Sequence, residues 1–377
     1  MLVEGLHKFV KGESLPIPYK GKYAVKRKDF FEEVEHRWQA DASWFYKPLR
    51  VEFEITTKCN DTCPHCGMGA MPLKDGKTLE EHKIDHLVEQ LCDVGIPGIA
   101  VTGGEPFVTL TRLVETIKRA KGVIDVSKIT TNGFWGTHPG KIIDRLVQAG
   151  LLEARLFVPL LLVSIGEQTT PLDRLANIIH YVVKNFRVEE IQVGVSSLTL
   201  VGRDHRIDEL LNVYEQKFGD FPHDRVHSTL REYLVNERLT EQAELEQDFS
   251  TPVKEWMRQC YACYTPTVGA YVLPTALLKY DGSFYTCACF NVPQRLCGGN
   301  LFHDSAREIL HRINSDGYAR AIGTGGGLKG ISSVIPEEEY AGLKAPSYCD
   351  ACNMLGQIYD RREQEKSQST RVPLRLV

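Results

Sequence analysis

The sequence predicts an α/β protein in which six strand–helix units form a partial barrel, followed by a smaller α+β region rich in cysteine. Three observations lead to this prediction. Short β-branched runs alternate with helical periodicity from about residue 49 to about residue 235, which is typical of βα units around a parallel sheet. Six such units are found, two fewer than in a closed eightfold TIM-like barrel. Beyond residue 258 the density of cysteine rises sharply, which indicates a second unit.

The predicted strands are short and β-branched, and helical stripes of apolar residues follow them. The first helix is expected to begin at a capping box formed by Thr78 and Glu81 and to stop near Gly95. Cys92 borders the apolar stripe of that helix, so we expect its side chain in the core. Later helices are expected around residues 110–117, from Pro139 to Gly150, from about Pro171 and over residues 207–218. The strands are expected at residues 49–56, 98–102, 126–131, within 155–164, at 191–198 and at about 226–235.

These patterns divide the chain into five segments. A barrel is predicted for residues 49–236 and a cysteine-rich domain for residues 259–360, joined by a solvated helical linker over residues 237–258. Residues 1–48 form an N-terminal extension, expected to act as a capping helix at the bottom or edge of the barrel rather than as a recognition element. Residues 361–377 form a polar tail.

Composition excludes several classes of protein. The 377 residues are 42% hydrophobic and 25% charged, which argues against disorder, collagen and coiled coil. A net charge of −4 gives no reason to expect nucleic acid as a partner. No signal peptide is recognisable, and the most apolar run, residues 156–165, is too short to span a membrane. We therefore expect a cytoplasmic protein without a membrane partner, whose eleven cysteines remain reduced.

Three of these cysteines, Cys59, Cys63 and Cys66, lie in the segment CNDTCPHC directly after the first strand. Three thiolates in a short loop can converge on one soft metal centre. A structural zinc normally has four protein ligands, so three leave one coordination position for a small molecule. A zinc knuckle that borrows His65 or a distant residue is the alternative. The position of the loop disfavours it, because loops at the carboxyl ends of barrel strands form the active face.

Further motifs follow the next three strands. Gly103-Gly104-Glu105-Pro106 follows the second strand, Thr130-Thr131-Asn132-Gly133 ends the third, and Ser164-Ile165-Gly166 ends the fourth. Together with CxxxCxxC, these motifs resemble the GGEP, TNG and Ser-Leu-Asp-Gly segments of the radical S-adenosylmethionine (SAM) enzymes, in the same order. The resemblance implies that Cys59, Cys63 and Cys66 hold a [4Fe–4S] cluster that binds SAM.

The resemblance also implies roles for residues around SAM. Glycines 103 and 104 would let the backbone approach the methionine moiety, Glu105 would bind its ammonium group and Ser164 its carboxylate. The backbone of His65 would border the adenine. The expected SAM-binding residues are His65, Gly103, Gly104, Glu105, Pro106, Asn132 and Ser164.

Two features depart from the family pattern. Gly166 stands where the fourth-strand motif usually has Asp, and no ribose-binding residue is obvious on the fifth strand. Ser196 and Ser197 are candidates for the ribose, although solvated loop serines are the favoured interpretation.

A second set of cysteines lies near the carboxyl end of the chain. The order of a cysteine, Gly282-x4-Cys287, Gly299-Asn300, a helix and a CxxC pair resembles the SPASM and Twitch extensions of radical SAM enzymes. The shorter Twitch form fits better, because no cysteine follows Cys352. The resemblance implies one auxiliary [4Fe–4S] cluster, with Cys263, Cys287, Cys349 and Cys352 as its ligands.

Several alternatives stay open in this region. Cys260 is a rival to Cys263 as the first ligand. Cys289 and Cys297 are left over, and they could be buried thiols, ligands of a second cluster or a hydrogen-atom donor. A zinc ribbon that serves as an interaction module is the rival interpretation of the whole region.

By resemblance, the chain is expected to be a radical SAM oxidoreductase. It would cleave SAM reductively, abstract hydrogen from an unactivated carbon and oxidise the substrate radical through the auxiliary cluster, with a small metabolite as substrate and a flavodoxin- or ferredoxin-type protein as electron donor. The first alternative is a maturase that oxidises, crosslinks or epimerises a ribosomal peptide or protein. Epimerisation would need a thiol donor such as Cys289. The remote alternative is a non-enzymatic metal or redox-sensing protein.

Overall fold

The computed structural model describes most of the barrel region and parts of the remainder. The described residues are 17–19, 23–25, 44–46, 48–63, 66, 70–166, 171–200, 206–233, 251–259, 267–268, 271–272, 275–287, 294–324, 328–345 and 348–369. The predicted linker helix at residues 237–248 lies outside these ranges. So do His65, Cys260, Cys263, Cys289 and the side chain of Cys349.

The described strands follow the predicted ones closely in the barrel region. In chain order they are β1 (Ile17–Tyr19), β2 (Tyr23–Val25), β3 (Arg50–Glu54), β4 (Lys58–Cys59), β5 (Met71–Pro72), β6 (Gly98–Thr102), β7 (Asp125–Thr131), β8 (Phe157–Val158), β9 (Leu160–Ile165), β10 (Gln192–Leu200), β11 (Val226–Tyr233), β12 (Thr251–Pro252), β13 (Thr267–Val268), β14 (Tyr271–Val272), β15 (Thr275–Leu278), β16 (Ser283–Tyr285), β17 (Cys297–Asn300) and β18 (Lys344–Ala345).

The described helices alternate with the barrel strands and then continue through the C-terminal region. They are α1 (Glu81–Asp93), α2 (Leu110–Ala120), α3 (Pro139–Gln148), α4 (Leu172–Asn185), α5 (Ile207–Phe218), α6 (Val253–Gln259), α7 (Ala306–Ser315), α8 (Gly317–Thr324) and α9 (Tyr348–Ser369). Short 3₁₀ helices occur at Pro106–Thr109, Leu151–Glu153, Gln294–Leu296, Leu328–Ser333 and Glu337–Glu339.

One large sheet organises the molecule. Its strand order is β11-β10-β9-β7-β6-β3-β15-β16-β17. The six strands from β3 to β11 pair in parallel, as the predicted βα units require. The predicted α/β class with a partial barrel is therefore confirmed.

The C-terminal region extends this sheet at its first barrel strand. Strand β15 pairs in parallel with β3, and β16 and β17 continue in antiparallel fashion. The turn between β15 and β16 contains Gly282 with φ at 85°, a left-handed backbone conformation that favours glycine.

Side chains along the barrel strands alternate between the hydrophobic core beneath the helices and the interior of the barrel. Val51, Phe53 and Ile55 of the first strand pack with the helices in the main hydrophobic core, at 0% exposure each. Side chains that alternate with such residues point to the opposite face. On β7 and β9 these alternate residues are partly exposed, so the interior of the barrel is accessible.

The N-terminal extension contributes a hairpin in its described part. Strands β1 and β2 pair antiparallel, and β2 pairs with β8, which precedes β9 and so lies at the amino-terminal edge of the barrel. The described part is therefore a strand pair rather than the expected capping helix, while residues 26–43 lie outside the described ranges.

Two local predictions around the first helix are wrong. Helix α1 begins at Glu81 with no side-chain cap, because Leu79 donates its N–H to the carbonyl oxygen of Ile55 and the Thr78 hydroxyl lies 3.0 Å from that of Thr56. Thr78 is thus held by the end of the first strand and cannot cap the helix. Cys92 is exposed rather than in the core, because the buried stripe of α1 passes through other positions.

Candidate active site

The loop after β3 carries the first three cysteines. Cys59 is buried, whereas Cys63 and Cys66 are partly exposed. The N–H of Asp61 donates to the Sγ atom of Cys59 at 3.4 Å, and the N–H of Cys66 donates to the carbonyl oxygen of Cys63 at 3.1 Å. The backbone therefore turns within residues 59–66 and keeps the three thiols in one small loop.

These thiols have the donor chemistry of an iron–sulfur site. Burial raises the pKa of Cys59 to about 11 and the pKa of Cys63 to about 12. Cys66 adds to both pKa increases, so the thiols are close enough to interact. Thiolates here need neighbouring positive charge, which iron ions would supply. Among the described residues, no three His, Cys, Asp or Glu side chains converge as a metal site, so the assignment rests on the donor set.

The two glycines after β6 lie against the backbone of the cysteine loop. A Cβ atom on Gly103 would lie 2.2 Å from the carbonyl oxygen of Thr56, and one on Gly104 would lie 2.2 Å from that of Lys58. Gly104 donates its N–H to the oxygen of Thr56 at 2.7 Å, and Glu105 donates its N–H to that of Lys58 at 2.8 Å. The glycines are therefore required by the contact between two backbone segments, a reason that the sequence prediction did not include.

The carboxylate of Glu105 joins the second and third motifs. Its side chain is 1% exposed. Oε1 accepts hydrogen bonds from the Phe107 N–H at 3.1 Å and the Thr131 hydroxyl at 2.8 Å, and Oε2 accepts one from the Asn132 N–H at 2.6 Å. Burial raises the pKa of Glu105 to about 7, although these three donors favour the ionised form.

The hydroxyl of Thr131 completes this network. It accepts hydrogen bonds from the N–H of Gly133 and from the indole Nε1–H of Trp135, each at 3.0 Å, and it donates to Glu105. The Trp135 ring also stacks on Phe107 at 4.5 Å between ring centroids. Thr131 is thus a positioning residue that the motif comparison did not single out, although it directly precedes Asn132.

Asn132 connects the third motif to the cysteine loop. Its Nδ2 donates to Oδ1 of Asn60 at 3.0 Å, and its own Oδ1 accepts from the N–H of Phe134 at 3.1 Å. Asn60 directly follows Cys59 in the chain. The cysteine loop, the GGEP motif and the TNG motif therefore form one hydrogen-bonded unit.

The fourth motif lies at the next strand. Ser164 of β9 is partly exposed and pairs in register with Ser196 of β10. Ser196 and Ser197 are 2% and 1% exposed and lie within β10, so the favoured interpretation of solvated loop serines is wrong. Arg206 donates from Nη1 to the carbonyl oxygen of Gly166 at 3.2 Å and brings a cation to this edge. No sequence pattern had indicated Arg206.

Comparison with known proteins decides the family. The model of the Radical SAM superfamily matches residues 53–216, which include all four motifs. Residues 53–216 belong to the Radical SAM superfamily. The predicted superfamily is therefore confirmed, and three of its four motifs form the hydrogen-bonded network around Glu105.

This radical SAM protein is similar in sequence to enzymes that differ in substrate. It is 35% identical over 108 residues to GTP 3′,8-cyclase of Lactiplantibacillus plantarum, covering 27% of this chain and 30% of that protein. It is 28% identical over 118 residues to PqqA peptide cyclase of Bradyrhizobium diazoefficiens, covering 31% of this chain and 30% of that protein. The matches thus span about a third of the length of these relatives.

One similar solved structure is SuiB of Streptococcus suis bound to its precursor peptide SuiA. The sequence identity is 12% and the TM-score is 0.47, with 86% of this chain and 79% of that chain covered. A TM-score below 0.5 supports no conclusion by itself, so the motifs and the family model carry the assignment.

Two C-terminal cysteines of this radical SAM protein, Cys287 and Cys352, lie in a second hydrophobic core. Cys287 and Cys352 are both buried there, 7% and 5% exposed. The hydroxyl of Tyr318 donates to the carbonyl oxygen of Cys352 at 2.6 Å and lies 3.5 Å from its Sγ. Two of the four predicted auxiliary ligands thus share one apolar environment. Cys349 lies in α9, one helical turn before Cys352.

Cys297 lies beside this core rather than in it. It is partly exposed and pairs in register with Tyr285, and its thiol donates to the carbonyl oxygen of Gly299 at 3.5 Å. Of the three interpretations of Cys297, the buried thiol is therefore wrong. In the described part of the chain, no helix is both long and apolar enough to cross a membrane.

Proposed function

We propose that this protein is a radical SAM enzyme that removes a hydrogen atom from an unactivated carbon and oxidises its substrate. The observation that carries the proposal is the hydrogen-bonded unit of Glu105, Thr131, Asn132 and Asn60, which joins three family motifs at one end of the barrel. A [4Fe–4S] cluster with SAM would supply the reductive cleavage that yields a 5′-deoxyadenosyl radical.

The residues of the chain would divide the work as follows. Cys59, Cys63 and Cys66 would hold three irons and leave the fourth for SAM. Oε2 of Glu105 accepts one hydrogen bond from the protein and retains acceptor capacity for the ammonium group of SAM. The remaining SAM contacts are proposed for His65, Gly103, Gly104, Pro106, Asn132 and Ser164.

The second core would serve the oxidation step. We propose an auxiliary [4Fe–4S] cluster of the Twitch type on Cys263, Cys287, Cys349 and Cys352, supported by the common burial of Cys287 and Cys352. The substrate would lose a hydrogen atom to the deoxyadenosyl group, then one electron to this cluster and one proton to a base. A flavodoxin- or ferredoxin-type protein would supply the electron for SAM cleavage, as expected of a cytoplasmic enzyme.

A small metabolite is the first substrate class to test, and a peptide is the second. The similarity to a GTP cyclase supports the former. The similarity to a peptide cyclase supports the latter, in which the outcome would be oxidation, crosslinking or epimerisation. A gene for a short precursor peptide beside this gene would favour the peptide.

The proposed function is tested by SAM cleavage. The protein is reconstituted with iron and sulfide without oxygen, then mixed with SAM and dithionite. We expect 5′-deoxyadenosine from the wild type and none from Cys59→Ala. Absence of 5′-deoxyadenosine from a wild type that contains its iron would reject radical chemistry and favour a metal- or redox-sensing role.

A further inference from the structure

We infer that Glu54 is the substrate-binding carboxylate of the barrel and that it accepts an organic cation, an ammonium or guanidinium group. This inference rests on the proposed function for the reaction, but the site itself is defined by contacts of β3 with its neighbours. Glu54 was not among the residues that the motifs indicated.

The side chain of Glu54 leaves the sheet on the interior face of the barrel. It follows Glu52 by two residues, so both point to the same side. Glu52 reaches Lys128 on β7, at 2.7 Å between Oε1 and Nζ, which lies two strands away across β6. Val51, Phe53 and Ile55, which alternate with these carboxylates, face the helices instead.

Glu54 belongs to a row of residues that crosses the interior face of the barrel from β3 to β9. Thr102 is the register partner of Glu54 and directly precedes the GGEP motif. Farther along the sheet, Thr130 of β7 and both Leu162 and Ser164 of β9 are partly exposed. The residues that alternate with them on each strand are buried. Glu54 therefore lies one step below the proposed SAM site, in a row of interior residues that becomes partly exposed on β7 and β9.

The described residues do not supply a hydrogen-bond donor to each oxygen of the Glu54 carboxylate. Its side chain is 3% exposed, and Oε1 has no hydrogen-bond partner among them. The remaining interactions come from the β15–β16 hairpin: the N–H of Tyr280 donates to the carboxylate, Lys279 attracts it and Asp281 repels it. A buried acceptor without a donor costs about 1 to 3 kcal/mol, and more if it is charged.

Comparison with Glu52 indicates which interaction the Glu54 carboxylate lacks. Oε1 of Glu52 accepts from Arg50 at 3.1 Å and from Lys128 at 2.7 Å. Lys279 offers no equivalent pairing to Glu54, since its Nζ lies 4.9 Å from the ring centroid of Tyr285, in a cation–π contact. A cation bound at Oε1 would give Glu54 the kind of ion pair that Glu52 makes, and a cationic group of the substrate would supply it.

The position also fits the proposed oxidation. Glu54 contacts the hairpin that precedes Cys287, and it is the last residue of β3, five positions before Cys59. A cationic group held at Glu54 would anchor the substrate between the two cysteine sites. Both an amine of a small metabolite and a lysine or arginine side chain of a peptide have this chemistry.

The experiment measures binding without turnover, so it can fail independently of the proposed function. The probe is n-butylammonium chloride, with 1-butanol as the neutral match and potassium chloride as the salt control. Infrared spectra of the reconstituted protein are recorded against pH, and the difference between wild type and Glu54→Gln isolates the carboxyl band of Glu54. Without probe, that band should titrate at a pH of about 7.

We expect butylammonium to move the midpoint of this titration to lower pH by about one to three pH units, because an adjacent cation favours the carboxylate. A short lysine peptide that acts at lower concentration than butylammonium would identify a peptide substrate. A stronger effect of butylammonium would identify a small amine. Glu80→Gln, which alters an exposed carboxylate, should leave the band and its shift unchanged.

Three results would overturn the inference. These are a midpoint that butylammonium does not move, a midpoint that butanol or potassium chloride moves equally, and a midpoint that SAM alone moves. If Glu54→Gln does not fold, Glu54→Asp replaces it: the shorter side chain keeps a carboxyl band, and its midpoint should respond only at higher amine concentration.

Discussion

At the scale of single residues, the donors and acceptors of each side chain determine the direction of every hydrogen bond around Thr131. The Thr131 hydroxyl has one proton and two acceptor positions, and all three are used, by Glu105, Gly133 and Trp135. The donor and acceptor directions are therefore determined without observing hydrogens, and Glu105 can only accept from Thr131. An ionised Glu105 satisfies this network without rearrangement.

Replacing Thr131 by valine should destabilise the fold strongly. The variant keeps the shape of the side chain but leaves the indole N–H of Trp135 and one acceptor position of Glu105 without partners in a buried site. We expect a loss of about 2 to 4 kcal/mol in the free energy of unfolding, measured with urea. Thr130→Val is the matched control, since Thr130 is partly exposed, and it should change stability by less than about 0.5 kcal/mol. Equal losses in both variants would contradict the network.

Glu54 should make stability depend on pH. Burial raises its pKa from 4.5 to about 7, so the folded state holds this proton more tightly than the unfolded state. The stability that the folded state gains by holding this proton is fully present below pH 4.5 and is lost as pH rises through about 7. Glu54→Gln should therefore unfold like the wild type at pH 4 and be more stable than it at pH 8, by about 3 kcal/mol.

The control for this prediction is Glu80→Gln. Glu80 is exposed, and a hydrogen bond from Lys83 lowers its pKa, so the wild-type advantage should grow rather than fall as pH rises. Denaturant unfolding across this pH range measures both differences. If the stability of Glu54→Gln relative to the wild type is no greater at pH 8 than at pH 4, ionisation of Glu54 does not destabilise the folded state.

At the scale of elements, the sequence was informative where local pattern and tertiary pairing agree. Strand β6 and helix α5 have the predicted bounds, because apolar periodicity continues to the ends of both. The Thr78 capping box failed, since pairing with Thr56 removed the hydroxyl from the helix. The burial of Ser196 was missed although the predicted strand at residues 191–198 includes it, because its burial comes from the pairing of β10 with β9, a tertiary contact.

The contact between the GGEP segment and the cysteine loop is the element contact most open to test. Gly104→Ala would place a Cβ atom 2.2 Å from the carbonyl oxygen of Lys58, a backbone atom that cannot rotate away. We expect a loss of about 2 kcal/mol or more in unfolding free energy and lower iron uptake on reconstitution, because the loop with Cys59 must shift.

Gly342→Ala is the control for Gly104→Ala. Nothing lies within 4 Å of a Cβ atom added at Gly342, so its stability should change by less than about 0.5 kcal/mol. Normal iron uptake and stability in Gly104→Ala would show that the two backbone segments can separate without consequence.

At the scale of the whole molecule, the sheet joins what the sequence separates. Residues 275–278 pair with residues 50–53, although more than two hundred positions lie between them. No local pattern indicates this pairing, so the placement of the C-terminal hairpin beside Glu54 could not be predicted. The motifs nevertheless identified the superfamily, because radical SAM residues occur in short segments at successive strand ends.

The two cysteine sets should therefore be separable in function although one sheet connects them. Cys59→Ala should abolish 5′-deoxyadenosine formation but retain the iron of the proposed auxiliary site, because Cys287 and Cys352 lie in a different core. Cys352→Ala should do the reverse, with abortive SAM cleavage retained and substrate turnover lost. Iron content and 5′-deoxyadenosine are measured for both variants, with Cys92→Ala as the control, since Cys92 is exposed and outside both sets. Loss of SAM cleavage in Cys352→Ala, in a protein that remains folded, would mean that the second core supports the barrel rather than carrying an electron acceptor.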